Sequence, residues 1–73
     1  MSKQKLTFKQ EKFCQYYVDT EGNASEAYRM SYDAAKMKPE SVWTEASLLL
    51  KIPKVSQRID EIKKERAEAS KVK

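Results

Sequence analysis

The sequence has no histidine, and only one cysteine, one glycine and two prolines in 73 residues. Without histidine it can assemble neither an imidazole acid–base pair nor a Cys/His zinc site. Cys14 has no second cysteine to pair with, so no internal disulfide forms. Its setting in Lys12-Phe13-Cys14-Gln15-Tyr16, inside a helical pattern, predicts a half-buried structural thiol rather than a reactive one. So few turn-forming residues exclude an all-β sandwich. No apolar run approaches the roughly 20 residues of a membrane span. The opening Met1-Ser2-Lys3-Gln4-Lys5 has no apolar stretch behind it and is not a secretory leader. A phosphate loop of the form Gly-x-x-x-x-Gly-Lys-Ser/Thr is missing, as is any carboxylate cluster with metal-ligand spacing. These absences point to a soluble, cytosolic, non-enzymatic protein with no cofactor and no membrane partner.

What is present suits short amphipathic helices with solvated outer faces: 40% of residues are hydrophobic and 36% charged. The net charge of +4 is unevenly spread. Residues 1–12 hold four lysines against Glu11, whereas residues 13–33 hold Arg29 against four carboxylates. Residues 34–58 are basic again, with Lys36, Lys38, Lys51, Lys54 and Arg58 against Glu40 and Glu45. A basic arm and a basic third quarter suit contact with a polyanion.

Residues 1–6 read as a flexible basic arm. Thr7 followed three residues later by Gln10 forms a capping box, and Phe13, Tyr16 and Tyr17 recur at helical spacing, so a first helix is predicted from about Phe8 to Asp19. Gly22 breaks the chain. Asn23 to Glu26 repeats the capping logic for a short second helix, about Ala24 to Tyr32, whose Ala24, Ala27 and Tyr28 share a face that lets another helix approach closely. Residues 33–38 read as a turn. Pro39 suits the first position of a third helix, where its missing amide costs nothing, and Val42, Ala46, Leu49 and Leu50 form its inner stripe. Lys51-Ile52-Pro53 ends that helix, and Pro53 opens a fourth, with Val55, Ile59 and Ile62 facing inward. The polar stretch after Lys63 continues the helix into solvent, and residues 67–73 form a frayed polar tail. The expectation is an all-α bundle of about four helices. A helix of about nine residues, a tight link and a second helix with a small-residue face resemble a helix-turn-helix. The predicted core is Phe13, Tyr17, Ala27, Tyr28, Val42, Ala46, Leu49, Val55 and Ile59. The four tyrosines read as core aromatics, and Trp43, beside Val42 but off the inner line, as partly buried.

Three stretches, in order, resemble phage terminase small subunits. Leu6-Thr7-Phe8-Lys9-Gln10-Glu11-Lys12-Phe13 is similar to the family's Leu-Thr-x-Lys-Gln-Glu-x-Phe. Asn23-Ala24-Ser25-Glu26-Ala27-Tyr28-Arg29 is similar to its Asn-Ala-Thr-x-Ala-Tyr, and Leu48-Leu49-Leu50-Lys51-Ile52-Pro53-Lys54-Val55 to its Leu-Leu-x-x-Pro-x-Val. The resemblance covers residues 6–66. It implies an N-terminal helix-turn-helix domain, over residues 7–66, that recognises viral double-stranded DNA for packaging in the cytoplasm of an infected or lysogenic bacterium. It also implies a partner, the large subunit with the ATPase and nuclease. Two features depart from the family. Ser31 stands where many members have glycine, and the members' central ring-assembling segment has no counterpart up to Lys73. This chain is therefore expected to be monomeric or weakly self-associating, although the family forms homo-oligomers.

The DNA-contact candidates are Lys36, Lys38, Ser41, Thr44, Lys51 and Lys54. Lysines and hydroxyls near helix starts hold phosphates, and side chains on the exposed face of a second helix reach base edges. DNA is expected against the start and outer face of the third helix, with Lys3 and Lys5 of the arm assisting. Glu40 and Glu45 on that helix count against a strongly electrostatic mode. A transcriptional regulator built on the same motif, or a protein-interaction module that never touches DNA, are the alternative classes.

Overall fold

The computed structural model describes residues 6–71, with side chains as far as Ala67. Four helices follow in order: α1 Phe8–Asp19, α2 Ala24–Ser31, α3 Pro39–Leu50 and α4 Pro53–Lys71. No strand occurs among the described residues. The all-α architecture of four helices is therefore as the sequence predicts. Arm residues 1–5, with Lys3 and Lys5, lie outside the described residues, as do residues 72 and 73.

The helix starts follow from local chemistry. Thr7 Oγ1 accepts from the Gln10 amide at 3.1 Å while the Gln10 side chain accepts from the Thr7 amide at 3.1 Å, a complete capping box. At α2 only half of the expected box is made: Asn23 Oδ1 accepts from the Glu26 amide at 3.0 Å. Tyr32, expected as the last residue of α2, is its extended cap. Pro39 occupies the first turn of α3 behind Lys38, whose side chain makes no capping hydrogen bond.

The link from α1 to α2 spans residues 20–23. Thr20 Oγ1 donates to the Tyr16 carbonyl at 2.9 Å and accepts from the Asn23 amide at 3.2 Å, which ties the link to both helices. The Glu21 amide bonds Val18 O at 3.0 Å and the Gly22 amide bonds Tyr17 O at 2.9 Å. This pair is the Schellman termination of α1, and it puts the left-handed position on Glu21 (φ 59°), one residue before the glycine (φ 95°). The tight link therefore lies between α1 and α2. The link from α2 to α3, residues 32–38, exceeds the 3–4-residue turn usual in a helix-turn-helix.

α1 packs against both α2 and α4, α2 packs against α3, and α3 meets α4 over a smaller area. The buried cluster comprises Phe13, Cys14, Ala27, Ala46, Val55, Ile59 and Ile62, and Val42 is also sealed from solvent. Cys14, Ala27 and Ala46 are small, and all three are at zero exposure, so neighbouring helices come close at each. Cys14 is thus fully buried rather than half-buried. Its Sγ donates to the Val55 carbonyl on α4 at 3.6 Å, and burial pushes the thiol pKa up to about 11. The thiolate needed for reactivity is suppressed. Tyr17, Tyr28 and Leu49, expected in the core, are only partly buried and pack against its edge. Large rings at the rim of so small a domain keep part of their surface wet.

A polar seam runs beside this core. Glu11, Gln15 and Asp19 recur every fourth residue on one row of α1. Arg58 Nε donates to both oxygens of Glu11 at 3.0 and 3.1 Å, and Arg58 Nη1 donates to Glu61 at 3.0 Å. Two turns further along both helices, Arg66 pairs with Asp19 and reaches Gln15 Oε1 at 3.4 Å. The pairs occur in the same order on both helices, so α1 and α4 run in the same direction there. Helices that run parallel cannot be joined by a tight turn, and α2 with α3 form the return path. The seam also shows that α4 beyond Lys63 does not simply enter solvent, because Arg66 ties it back to α1.

Two outcomes follow from these local features. A non-glycine residue in the left-handed region carries a steric cost of about 1–2 kcal/mol, partly offset by glycine's greater entropy when unfolded. Glu21→Gly should therefore stabilise the domain by about 0.5–1 kcal/mol, raising Tm by about 2–8 °C in a thermal melt; no rise would show that Glu21 carries no strain. The second concerns acid. The Arg58 guanidinium, above all, holds the Glu11 carboxyl below its ordinary value of 4.5. A depressed carboxyl pKa stabilises the fold fully above that ordinary value, and the contribution fades as pH falls through the lower folded one. Both groups are partly exposed, so the effect stays within about 1 kcal/mol. Glu11→Gln should melt below the parent at pH 7, and the gap should close in acid where Glu11 is protonated.

Candidate nucleic-acid interface

α3 has a two-sided sequence. Val42 and Ala46 are buried, and Leu49 and Leu50 pack against the core edge. On the opposite side Ser41, Thr44, Leu48 and Lys51 recur at i, i+3, i+7 and i+10, one row along the helix, and all four are exposed. A flanking row holds exposed Glu40 and Trp43 and half-buried Ser47. The inner stripe fixes this arrangement, since side chains 100° or more from it must face away from α2 and α4.

All six sequence candidates are exposed. Ser41, Thr44 and Lys51 share the outer row of α3. Lys38 caps the start of the helix and Lys51 its end, roughly 20 Å apart at 1.5 Å per residue. Lys36 lies in the link before the helix and Lys54 in the first turn of α4. The candidates thus form two lysine pairs bracketing one helix face rather than a single cluster. Among the described residues none of these four lysines is in an ion pair, whereas Arg58 and Arg66 are committed to carboxylates. The parallel run of α1 and α4 brings the first turn of α1, with exposed Lys9, to the same end of the molecule as Lys54. The Lys9 ammonium stands 5.6 Å from the centre of the Tyr32 ring.

Thr44 Oγ1 donates to the Glu40 carbonyl at 2.9 Å, so its single hydrogen is engaged within the helix. The amides of Glu40 and Ser41, in the first turn, receive no side-chain cap. Glu40 beside them favours the positive end of the helix dipole and weakens the attraction of that end for a phosphate.

Two large apolar side chains of α3 are exposed. Trp43 is 62% exposed, which overturns its expected partial burial, and Leu48 is 50% exposed. Trp43 projects about 100° from Val42, to one side of the buried stripe. Leu48 lies in a run of three leucines, of which only Leu49 and Leu50 turn inward. The helical period applied to that run separates Leu48 from its neighbours, so the sequence itself carries this signal.

An open depression of about 510 Å³ lies at the α2–α3 link, lined by Arg29, Tyr32, Asp33, Ala34, Ala35 and Met37. Tyr28 and Tyr32 stack at 4.6 Å between ring centres nearby. Among the described residues no cluster of acidic or cysteine side chains could hold a metal ion, and no helix is long and apolar enough to cross a membrane.

Fold and surface together define a small helical domain that presents one lysine-flanked helix face. The sequence model of the terminase small subunit family matches residues 6–73, and the chain belongs to that family. An uncharacterised protein of Haemophilus influenzae (strain Rd) is 54% identical over 59 residues, covering 80% of this chain. The match covers 34% of that relative, so the chain spans about a third of its length. No solved structure matches.

Trp43 is the single tryptophan and therefore reports directly on this face. Its fluorescence should peak at the long wavelength of a hydrated indole and be quenched efficiently by acrylamide. A short-wavelength, protected emission would return Trp43 to the core.

Proposed function

We propose that this chain is the DNA-binding part of a phage terminase small subunit. In this reading it binds viral double-stranded DNA for packaging and helps to recruit the large subunit, which supplies the ATPase and nuclease. The chain itself carries out no chemistry, and it works in the cytoplasm of the infected or lysogenic bacterium. The observation that carries the reading is the outer row of α3, exposed and bracketed by Lys36 and Lys38 at one end and Lys51 and Lys54 at the other. Family membership supplies the context of packaging.

Physically, the lysines supply the sequence-independent part of binding by displacing counterions from phosphates. The row between them can enter a major groove, which admits one α-helix. Four lysines and a weakly favourable helix start give modest affinity. Several copies held side by side, as in the family's homo-oligomers, would raise it through avidity. The domain boundaries consistent with this role are a basic arm over 1–6, the binding domain over 7–66 and a polar tail over 67–73.

The test is a titration of duplex DNA at several salt concentrations. Lys38→Gln with Lys51→Gln should leave helical circular dichroism unchanged. The slope of log affinity against log salt should fall by about 0.9 for each phosphate that a lysine no longer neutralises. An unchanged slope would move the DNA surface away from α3, with Lys9 and the first helix as the next place to look. No binding by the parent chain at low salt would favour a protein-interaction module instead.

A further inference from the structure

Thr44 and Leu48 are neighbours on the outer row of α3, one turn apart and about 5–6 Å between their Cβ atoms. They differ in what they can offer a base edge. A threonine hydroxyl has one hydrogen and two lone pairs. In Thr44 the hydrogen is given to the Glu40 carbonyl at 2.9 Å, and the exposed oxygen keeps its lone pairs. Thr44 can therefore accept a hydrogen bond but has none to donate. In the major groove that selects an amino group, N6 of adenine or N4 of cytosine, against the acceptors N7 and O6 of guanine and O4 of thymine. Leu48 is half exposed in the same row. An apolar side chain at a base edge finds one complementary group in the major groove, the 5-methyl of thymine.

Applied to the same base pair, the two requirements select A·T. We infer that Thr44 and Leu48 read A·T pairs in the major groove, Thr44 accepting from adenine N6 and Leu48 packing on the thymine methyl. The spacing of the two side chains fits a single pair or adjacent pairs, given about 3.4 Å per step. The flanking lysines fix the helix against the phosphates and leave this row to face the bases. Glu40 and Glu45 lie off the row, and their charge keeps the sides of α3 from settling into the backbone. This inference rests on the DNA-binding reading and adds to it the bases that are read.

The experiment uses the full chain and alternating duplexes of equal length and charge, so that the phosphate contribution is common to all. The parent duplex contains adenine and thymine. A second replaces thymine by uracil, removing only the methyl groups. A third replaces adenine by 2-aminopurine, taking the amino group out of the major groove. The native chain should bind the second about fourfold more weakly, the equivalent of one buried carbon, and the third more weakly by a similar factor. Leu48→Ala should lose the response to uracil and keep the response to 2-aminopurine. Thr44→Val, which keeps the shape and removes the acceptor, should do the reverse, and Thr44→Ser should behave as the native chain. Equal binding of all three duplexes by the native chain would overturn the inference while leaving DNA binding intact. Failure to bind any of them at low salt would instead overturn the DNA-binding reading itself.

Discussion

Where α1 lies along α4, Cys14 sits against the Val55 carbonyl, with Phe13 beside it at zero exposure. The other elements take their places from this contact. Phe13 has the largest of the fully buried side chains, and it lies on the helix that touches both α2 and α4. Because α1 and α4 run in the same direction, the chain must cross back between them. The crossing is made by α2 and α3, held through Ala27 and Ala46. α3 therefore packs through one side only, against α2 and, over a smaller area, α4. Its outer face is free because the return path needs only its inner one.

Much of this is legible in the sequence, for reasons that differ by element. Capping residues and apolar spacing act locally, so Thr7, Asn23, Pro39 and Pro53 mark the helix starts to the residue. The inner stripes of α3 and α4 follow from the same periodicity. The polar seam is not legible, because Glu11 with Arg58 and Asp19 with Arg66 are separated by 47 residues in sequence, and nothing local connects them. The left-handed Glu21 is hidden for another reason. Glycine next door is the ordinary occupant of that position, and the hydrogen-bond ladder of α1 ends one residue earlier than glycine alone suggests. Trp43 misleads because its hydrophobicity suggests burial, while its angle on the helix sets it outside the core.

The residues that make the family recognisable are chiefly those that make the fold. Thr7 and Gln10 close a capping box, Asn23 caps α2, and Phe13, Ala27 and Val55 are sealed in the core. They specify a scaffold and are silent about what its outer face meets. The six candidate contacts, by contrast, stand out for charge and hydroxyl chemistry. The structure shows them exposed but distributed at two ends of a helix and along one row. Membership of the terminase small subunit family and the reading of α3 thus stand on separate sets of residues.

The polar seam also sorts the cations by kind. Two of the chain's three arginines, Arg58 and Arg66, serve as planar forks within the bundle, and the four cations that bracket the outer row of α3, Lys36, Lys38, Lys51 and Lys54, are all lysines. A guanidinium imposes an angle on the oxygen pair it grips, whereas an ammonium on a flexible stem accepts phosphate from many directions. On the DNA-binding reading, the hold on the backbone is therefore forgiving of register. Such a surface can be shifted along a duplex one step at a time with little change in energy, and residence at a given position is left to the few uncharged atoms between the lysines.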